Sequence, residues 1–81
     1  MKVTLKLPRL SMNMEEGTIV AWLKQQGQTF IAGEPLYAVE TEKAAADVEA
    51  PCDGVLLEIL IPPDSNVEVG AAVCRIEKTA G

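Results

Sequence analysis

The sequence of 81 residues contains no histidine, and its only aromatic residues are one tryptophan, one tyrosine and one phenylalanine. Histidine is the side chain that most often serves as a general acid or base and as a metal ligand, so its absence argues against an independent enzyme. The two cysteines do not form a zinc-binding cluster, and there is no glycine-rich phosphate loop. We therefore expect neither catalytic residues nor a metal site in this chain.

Basic residues are also scarce. Seven lysines and arginines stand against twelve aspartates and glutamates, which gives a formal net charge of −5. Nucleic acids and anionic membranes are bound through basic patches, so this balance argues against both as partners. No apolar run approaches the length of a membrane-spanning helix, and the first residues lack the charged-then-hydrophobic layout of a secretory signal. The acidic balance instead favours partners with basic docking surfaces.

Cysteine occurs only at Cys52 and Cys74, which is too few for a disulfide scaffold and indicates a reducing compartment. Cys74 falls inside an apparent strand, where a small thiol often fills space in a core. Hydrophobic residues make up 48% of the chain and are mostly valine, isoleucine, leucine and alanine. This composition predicts one small folded domain rather than a disordered chain.

What the sequence does contain is an internal repeat. The stretch that begins at Gly17 matches the stretch that begins at Gly54, an offset of 54 − 17 = 37, and Gly33 falls on Gly70 at the same offset. Further matched pairs are Ile19 with Leu56, Trp22 with Ile59, Leu23 with Leu60, Leu36 with Val73, Val39 with Ile76 and Glu40 with Glu77. A repeat with glycines in register predicts two similar supersecondary units that bury their apolar faces against each other.

The local pattern predicts strands and turns throughout. The expected strands are Lys2 to Leu7, Thr18 to Lys24, Leu36 to Glu40, Ala44 to Ala50, Val55 to Ile61 and Val73 to Glu77, with turns at Gln25 to Gln28 and Pro62 to Asn66. The short gap after Thr41 predicts a hairpin with Glu42 and Lys43 at the centre of a type I turn, since neither residue suits a mirror-image turn.

Charged residues predict which face of each strand meets water. Glu58 shares a face with Leu56 and Leu60, so simple alternation places Val55, Leu57, Ile59 and Ile61 inward. The repeat then places Val20 and Trp22 inward in the first copy, with Trp22 as a core anchor rather than a recognition residue. Arg75 and Glu77 mark the outer face of the last strand, which leaves Cys74 and Ile76 inward.

Several motifs together resemble one family. They are Met12-Asn13-Met14-Glu15-Glu16-Gly17, Trp22-Leu23, Gly33, Glu40-Thr41-Glu42-Lys43-Ala44, Glu49-Ala50-Pro51 and Gly54. This set is similar to the lipoyl domains of dihydrolipoamide acyltransferases in 2-oxo-acid dehydrogenase complexes, with a leader closer to the pyruvate and acetoin branches. The resemblance implies an all-β, flattened barrel or sandwich of two four-stranded sheets with quasi-twofold symmetry. Residues 1–78 would form this domain, and residues 79–81 would begin a linker or form a terminus.

The resemblance also implies a site. Lys43, flanked by Thr41, Glu42 and Ala44, would carry lipoate through an amide, and the arm would move acyl groups and reducing equivalents between active sites. A lysine stem on a tight turn offers exposure and reach, while the flanking strands hold the attachment point. The acidic residues near this tip are candidates for docking to basic partner surfaces: Glu16, Glu40, Glu42, Asp47 and Glu49.

The partners implied are a lipoate ligase or transferase, a 2-oxo-acid decarboxylase, the acyltransferase core and dihydrolipoamide dehydrogenase, in bacterial cytoplasm or mitochondrial matrix. We expect the isolated domain to be a monomer and not an enzyme by itself. Two alternatives stay open. A biotin carrier shares the general fold but resembles this chain less at the attachment lysine, which methionines flank there and Glu42 and Ala44 flank here. The other is a binding module of the same fold without modification.

Overall fold

The structure is a computed structural model, and it describes residues 1–10, 12–42 and 44–79. These residues form eight strands and no helix. The strands are β1 (Lys2–Lys6), β2 (Glu16–Trp22), β3 (Thr29–Phe30), β4 (Pro35–Glu40), β5 (Ala45–Glu49), β6 (Gly54–Ile59), β7 (Ser65–Glu68) and β8 (Ala72–Lys78). The six predicted strands are confirmed with ends that differ by at most two residues, whereas β3 and β7 were not predicted.

The strands form two four-stranded antiparallel sheets. The first sheet has the order β1-β8-β6-β3, and the second has the order β5-β4-β2-β7. In these two orders β1 corresponds to β5, β8 to β4, β6 to β2 and β3 to β7. The two halves are therefore related by a quasi-twofold operation. The molecule measures 35 × 22 × 17 Å, which is a flattened shape. The predicted all-β fold class and the structural meaning of the 37-residue repeat are both confirmed.

The irregularities in strand pairing also repeat. Val20 is an extra residue in β2 where it pairs with β4, and Leu57 is an extra residue in β6 where it pairs with β8. Leu36 and Val73 are extra residues in β4 and β8 in the same way. Both pairs are separated by 37 positions, as 57 − 20 and 73 − 36 show. A β-bulge of this kind leaves one residue unpaired and changes which residues face inward beyond it.

The bulges correct the predicted faces of β2 and β6. Leu56, predicted to face water, is fully buried, whereas Leu57 and Val20, predicted inward, are 39% and 36% exposed. Val55, also predicted inward, lies on the other side of β6 from Leu56. Alternation fails because the extra residue shifts the phase, so the strand buries Leu56 before the bulge and turns Ile59 toward the core after it.

The core lies between the two sheets. Its fully buried members come from both halves and include Ile19, Val39, Leu56 and Ile76. Cys74 and Ile76 are buried as predicted, and Cys52 and Cys74 are both free thiols. Trp22 is confirmed as a core anchor, because it packs against the buried cluster and its indole Nε1 donates a hydrogen bond of 2.8 Å to the carbonyl of Ile61.

Two glycines of the repeat allow close approach between neighbouring strands. A Cβ atom on Gly54 would lie 2.6 Å from the carbonyl oxygen of Glu77, and one on Gly17 would lie 2.8 Å from Cγ2 of Val39. Each glycine therefore occupies a position in its half where a side chain would overlap the adjacent strand. This equivalence explains why the two glycines are in register in the sequence.

Candidate functional site

The hairpin between β4 and β5 carries the sequence predicted for cofactor attachment. Glu40 and Ala45 form the last strand pair before the turn. Beyond it, the amide of Thr41 donates a hydrogen bond of 2.8 Å to the carbonyl of Ala44. Lys43, one of the two central residues of the predicted type I turn, lies outside the described residues, so the turn type stays a prediction. The neighbours on both sides, Glu42 and Ala44, are exposed.

The side chain of Thr41 adds two more hydrogen bonds across this turn. Its hydroxyl Oγ1 donates to the carbonyl of Ala44 at 3.1 Å and accepts from the amide of Ala44 at 3.3 Å. Threonine hydroxyls commonly form such local bonds to the backbone of turns. Thr41 and Ala44 are therefore joined by three hydrogen bonds across the turn.

A polar groove lies beside the hairpin. It has a volume of about 630 Å³ and is bordered by the start of β2, the segment before it, the end of β4 and the turn. Its lining comes from three stretches of the chain, namely residues 13–18, residues 40–42 and Asn66. Of the predicted docking residues, Glu16, Glu40 and Glu42 border this groove. The tip is thus flanked by an open surface rich in carboxylates.

The other two predicted docking residues lie along β5. Asp47 pairs opposite Ala38 and Glu49 opposite Pro35, and both are exposed. They face outward because Val48 between them packs against the core. They share the outer face of the second sheet with Glu16 and Glu40, but they do not line the groove.

One further carboxylate on this face was missed by sequence reasoning. Glu68 of β7 is paired directly opposite Glu16 of β2. Like charges in opposite positions repel each other, so this pair adds to the negative potential at an energetic cost to the sheet. The repeat could have located β7 through its match to β3, but β3 is only two residues long and has no strand signal of its own.

The charges of the two sheets differ in sign. Within the described residues, the strands of the second sheet carry five carboxylates and no lysine or arginine. The strands of the first sheet carry four basic residues, Lys2, Lys6, Arg75 and Lys78, against two acidic ones, Glu58 and Glu77. The candidate site therefore belongs to the acidic side of a polarised domain, which attracts basic surfaces at low ionic strength.

The structure holds little that could perform chemistry directly. Burial raises the pKa of the Cys74 thiol from 9.0 to about 11, so this thiol stays protonated and is a poor nucleophile at neutral pH. In the described part of the chain, no group of three or more acidic or cysteine side chains is arranged to hold a metal ion. The arrangement supports presentation of an attached group on the hairpin.

The sequence matches the family Biotin_lipoyl, described as "Biotin-requiring enzyme", over residues 3–76. The chain belongs to this biotin/lipoyl family. The match includes all of β2 to β6 and therefore the complete β4–β5 hairpin. Carrier domains of this family are not catalytic by themselves.

The curated relatives of this biotin/lipoyl domain are acyltransferase and related components. The chain is 41% identical over 71 residues to a "dihydrolipoyllysine-residue acetyltransferase component of pyruvate dehydrogenase complex" from Corynebacterium glutamicum, which covers 88% of this chain and 10% of the relative. It is 43% identical over 73 residues to the corresponding component of an acetoin cleaving system from Pseudomonas putida, covering 90% and 20%. A mitochondrial pyruvate dehydrogenase complex protein X component from Chaetomium thermophilum is 44% identical over 71 residues, covering 86% and 16%.

A solved structure supports the same assignment. The lipoyl domain of the 2-oxoglutarate dehydrogenase complex from Azotobacter vinelandii superposes with a TM-score of 0.77 at 26% identity, covering 96% of this chain and 99% of that one. The chain is thus a carrier domain of the biotin/lipoyl family, and its predicted resemblance to lipoyl domains is confirmed. It spans between a tenth and a fifth of the length of the curated relatives it matches. The described residues contain no helix long and apolar enough to cross a membrane.

Proposed function

We propose that Lys43 is the attachment residue of this carrier domain and that the group attached is lipoate, joined through an amide. The observation that supports this most directly is the β4–β5 hairpin, where exposed Glu42 and Ala44 flank Lys43 in the sequence and three hydrogen bonds join Thr41 to Ala44. An attachment point needs exposure together with a fixed base, and this hairpin provides both. A dithiolane on this lysine would carry acyl groups and reducing equivalents, while the protein contributes presentation.

Lipoate is favoured over biotin by the residues beside the lysine and by the relatives. Biotin carriers have a methionine on both sides of the modified lysine, whereas this chain has Glu42 and Ala44. The curated relatives described above are named for a dihydrolipoyllysine residue. A bare binding module would not need a hairpin in which three hydrogen bonds join Thr41 to Ala44.

The partners we propose follow from the relatives and from the charge of the site. They are a lipoate ligase or transferase, a 2-oxo-acid decarboxylase of the pyruvate or acetoin type, an acyltransferase core and dihydrolipoamide dehydrogenase. Docking would use the acidic face of the second sheet, with Glu16, Glu40 and Glu42 at the groove and Asp47 and Glu49 along β5. Charges at the rim of an interface act mainly on association rate and specificity.

The extent and setting of the domain are also proposals. Residues 1–78 form the carrier unit, because β8 ends at Lys78, and residues 79–81 begin a linker or a terminus. The isolated domain is a monomer. The compartment is bacterial cytoplasm or mitochondrial matrix, in keeping with free thiols at Cys52 and Cys74 and with relatives from both sources.

Intact-mass measurement tests the attachment. The domain is incubated with lipoate, ATP and a lipoate–protein ligase, and in parallel with biotin, ATP and a biotin–protein ligase. The variants are Lys43→Arg and, as a matched control of equal charge, Lys6→Arg on β1 of the other sheet. We expect one lipoyl addition to the wild type and to Lys6→Arg, and none to Lys43→Arg. An adduct that persists in Lys43→Arg, or one formed only with biotin, would overturn the proposal.

A further inference from the structure

One of the hydrogen bonds that close the hairpin has a side chain as its acceptor. In a hydrogen-bonded β-turn, the amide of the fourth residue donates to the carbonyl of the first. In this turn the amide of Ala44 donates to the hydroxyl of Thr41 instead, at 3.3 Å, and the same hydroxyl donates to the carbonyl of Ala44 at 3.1 Å. The hydroxyl of Thr41 therefore takes the place of the backbone carbonyl that normally accepts this hydrogen bond in a turn.

The repeat shows that this feature belongs to the hairpin and not to the fold in general. The counterpart of Thr41 is Lys78, as 41 + 37 gives, and its amide donates a hydrogen bond of 2.8 Å to the carbonyl of Met1. This bond matches the one from the Thr41 amide to the Ala44 carbonyl, also 2.8 Å. Both halves thus have this backbone hydrogen bond. Of the two equivalent positions, only the one between β4 and β5 carries a hydroxyl, since its counterpart is Lys78.

The local sequence explains the need for such a contact. Two-residue turns between antiparallel strands usually rely on glycine or asparagine, which adopt the required backbone angles at low cost. The residues between Thr41 and Ala44 are glutamate and lysine, so the turn lacks that support. Side-chain hydrogen bonds from Thr41 hold the bracketing residues together without it.

We infer that Thr41 is a positioning residue for the modification of Lys43, and that its hydroxyl holds the hairpin in the conformation a lipoate–protein ligase binds. This inference rests on the proposed function. If only a fraction of the domain has the conformation that the ligase binds, the apparent affinity of the ligase for the domain falls in proportion to that fraction. The steps after binding are unchanged. Loss of the hydroxyl is therefore expected to raise KM for the domain and to leave kcat unchanged.

Steady-state lipoylation of three variants tests this inference. Thr41→Val keeps the size, branching and strand preference of threonine but removes the hydroxyl, while Thr41→Ser keeps the hydroxyl. Thr4→Val is the matched control, since Thr4 is exposed on β1 of the other sheet. Because a hydrogen bond of this kind contributes about 1 kcal/mol net, we expect Thr41→Val to raise KM about five-fold with kcat unchanged. Thr41→Ser and Thr4→Val are expected to keep the wild-type KM.

The outcomes separate a positioning role from a structural one. A residue that only stabilised the fold would lower the melting temperature of Thr41→Val and leave KM unchanged at temperatures where the domain is folded, which would overturn the inference. Equal KM increases in Thr41→Val and Thr41→Ser would overturn it as well. A wild type that accepts no lipoyl group would instead refute the proposed function itself.

Hydrogen exchange of the wild type provides a second measurement that needs no variant. If the hydroxyl of Thr41 binds the amide of Ala44, that amide exchanges several-fold more slowly than expected for its exposed position. Exchange of the Ala44 amide at the unprotected rate would refute the contact on which the inference depends.

Discussion

Placing a methyl group on Gly54 is expected to destabilise this domain more than the equivalent change at Gly17. The Cβ atom of Gly54→Ala would lie 2.6 Å from the carbonyl oxygen of Glu77 and 3.1 Å from Cζ of Phe30. The first of these atoms is backbone in β8, the direct neighbour of β6, so relief requires the two strands to separate. In Gly17→Ala the nearest atoms are the side-chain atoms Cγ2 of Val39 at 2.8 Å and Cε of Met14 at 3.1 Å. The end of the methionine is flexible, whereas Val39 is buried and β-branched and can give way only by a small shift.

These distances set the expected magnitudes. Overpacking costs about 1–3 kcal/mol, and the backbone contact at Gly54 places that change at the upper end of the range. Reduced entropy of the unfolded chain returns about 0.5–1 kcal/mol, so the net loss is about 2 kcal/mol for Gly54→Ala. For Gly17→Ala the nearest backbone atom, the carbonyl oxygen of Glu40, is 3.6 Å away. Overpacking of about 2 kcal/mol, less the same entropy term, leaves an expected net loss of about 1–1.5 kcal/mol. In a domain of this size the first loss corresponds to a melting temperature lower by about 8–16 °C.

Thermal unfolding of both variants and the wild type, followed by calorimetry or by the fluorescence of Trp22, measures the difference. The two glycines occupy equivalent places in the two halves, so each variant serves as the control for the other. Equal losses at both sites, or a larger loss at Gly17, would show that the close approach of β6 to β8 is not the constraint described here.

Two further outcomes are expected. Replacing Glu42 and Asp47 by lysine is expected to lower kcat/KM for reductive acylation of the lipoylated domain about ten-fold at low salt, with a smaller effect at high salt. The control is Glu58→Lys on the other sheet. An unchanged kcat/KM at low salt would refute docking through this face. Cys52, which is partly exposed, is expected to react with iodoacetamide in the folded domain while Cys74 does not. Because the pKa of Cys74 is raised from 9.0 to about 11, the stabilisation due to its buried neutral thiol is present below pH 9 and is lost as pH rises toward 11. A Cys74 thiol that reacts as fast as Cys52 at pH 8 would contradict its burial.

Much of the architecture could be predicted because the repeat is visible without gaps. Matching Gly17 to Gly54 and Val39 to Ile76 indicates two equivalent β units, and the sheet orders confirm that arrangement. The bulges at Val20 and Leu57 could not be predicted from alternation, since a bulged strand has the same composition as a regular one. A bulge is a property of the pairing between two strands, and a single strand's sequence does not record it.

The site was predictable to a different degree. The hairpin followed from the gap between two apolar stretches and is confirmed by the pairing of β4 with β5. The assignment of Lys43 as the attachment residue stays a prediction from the resemblance of the surrounding motif. The groove beside it could not be predicted, because its walls come from residues 13–18 and 40–42, which only the fold brings together. The side-chain hydrogen bonds of Thr41 to Ala44 could not be predicted either, since a threonine at the end of a strand has no special sequence signal.

We propose that this fold presents Lys43 as the attachment point of a carrier arm. In the decisive experiment, the lipoylated domain is incubated with a decarboxylase component and its 2-oxo acid and then digested, and the peptide that contains Lys43 is fragmented. We expect a lipoyl group on Lys43 that has gained the acyl group of the substrate. An acyl-lipoyl group on any other lysine, or a Lys43 that stays unmodified while the domain is otherwise folded, would contradict it.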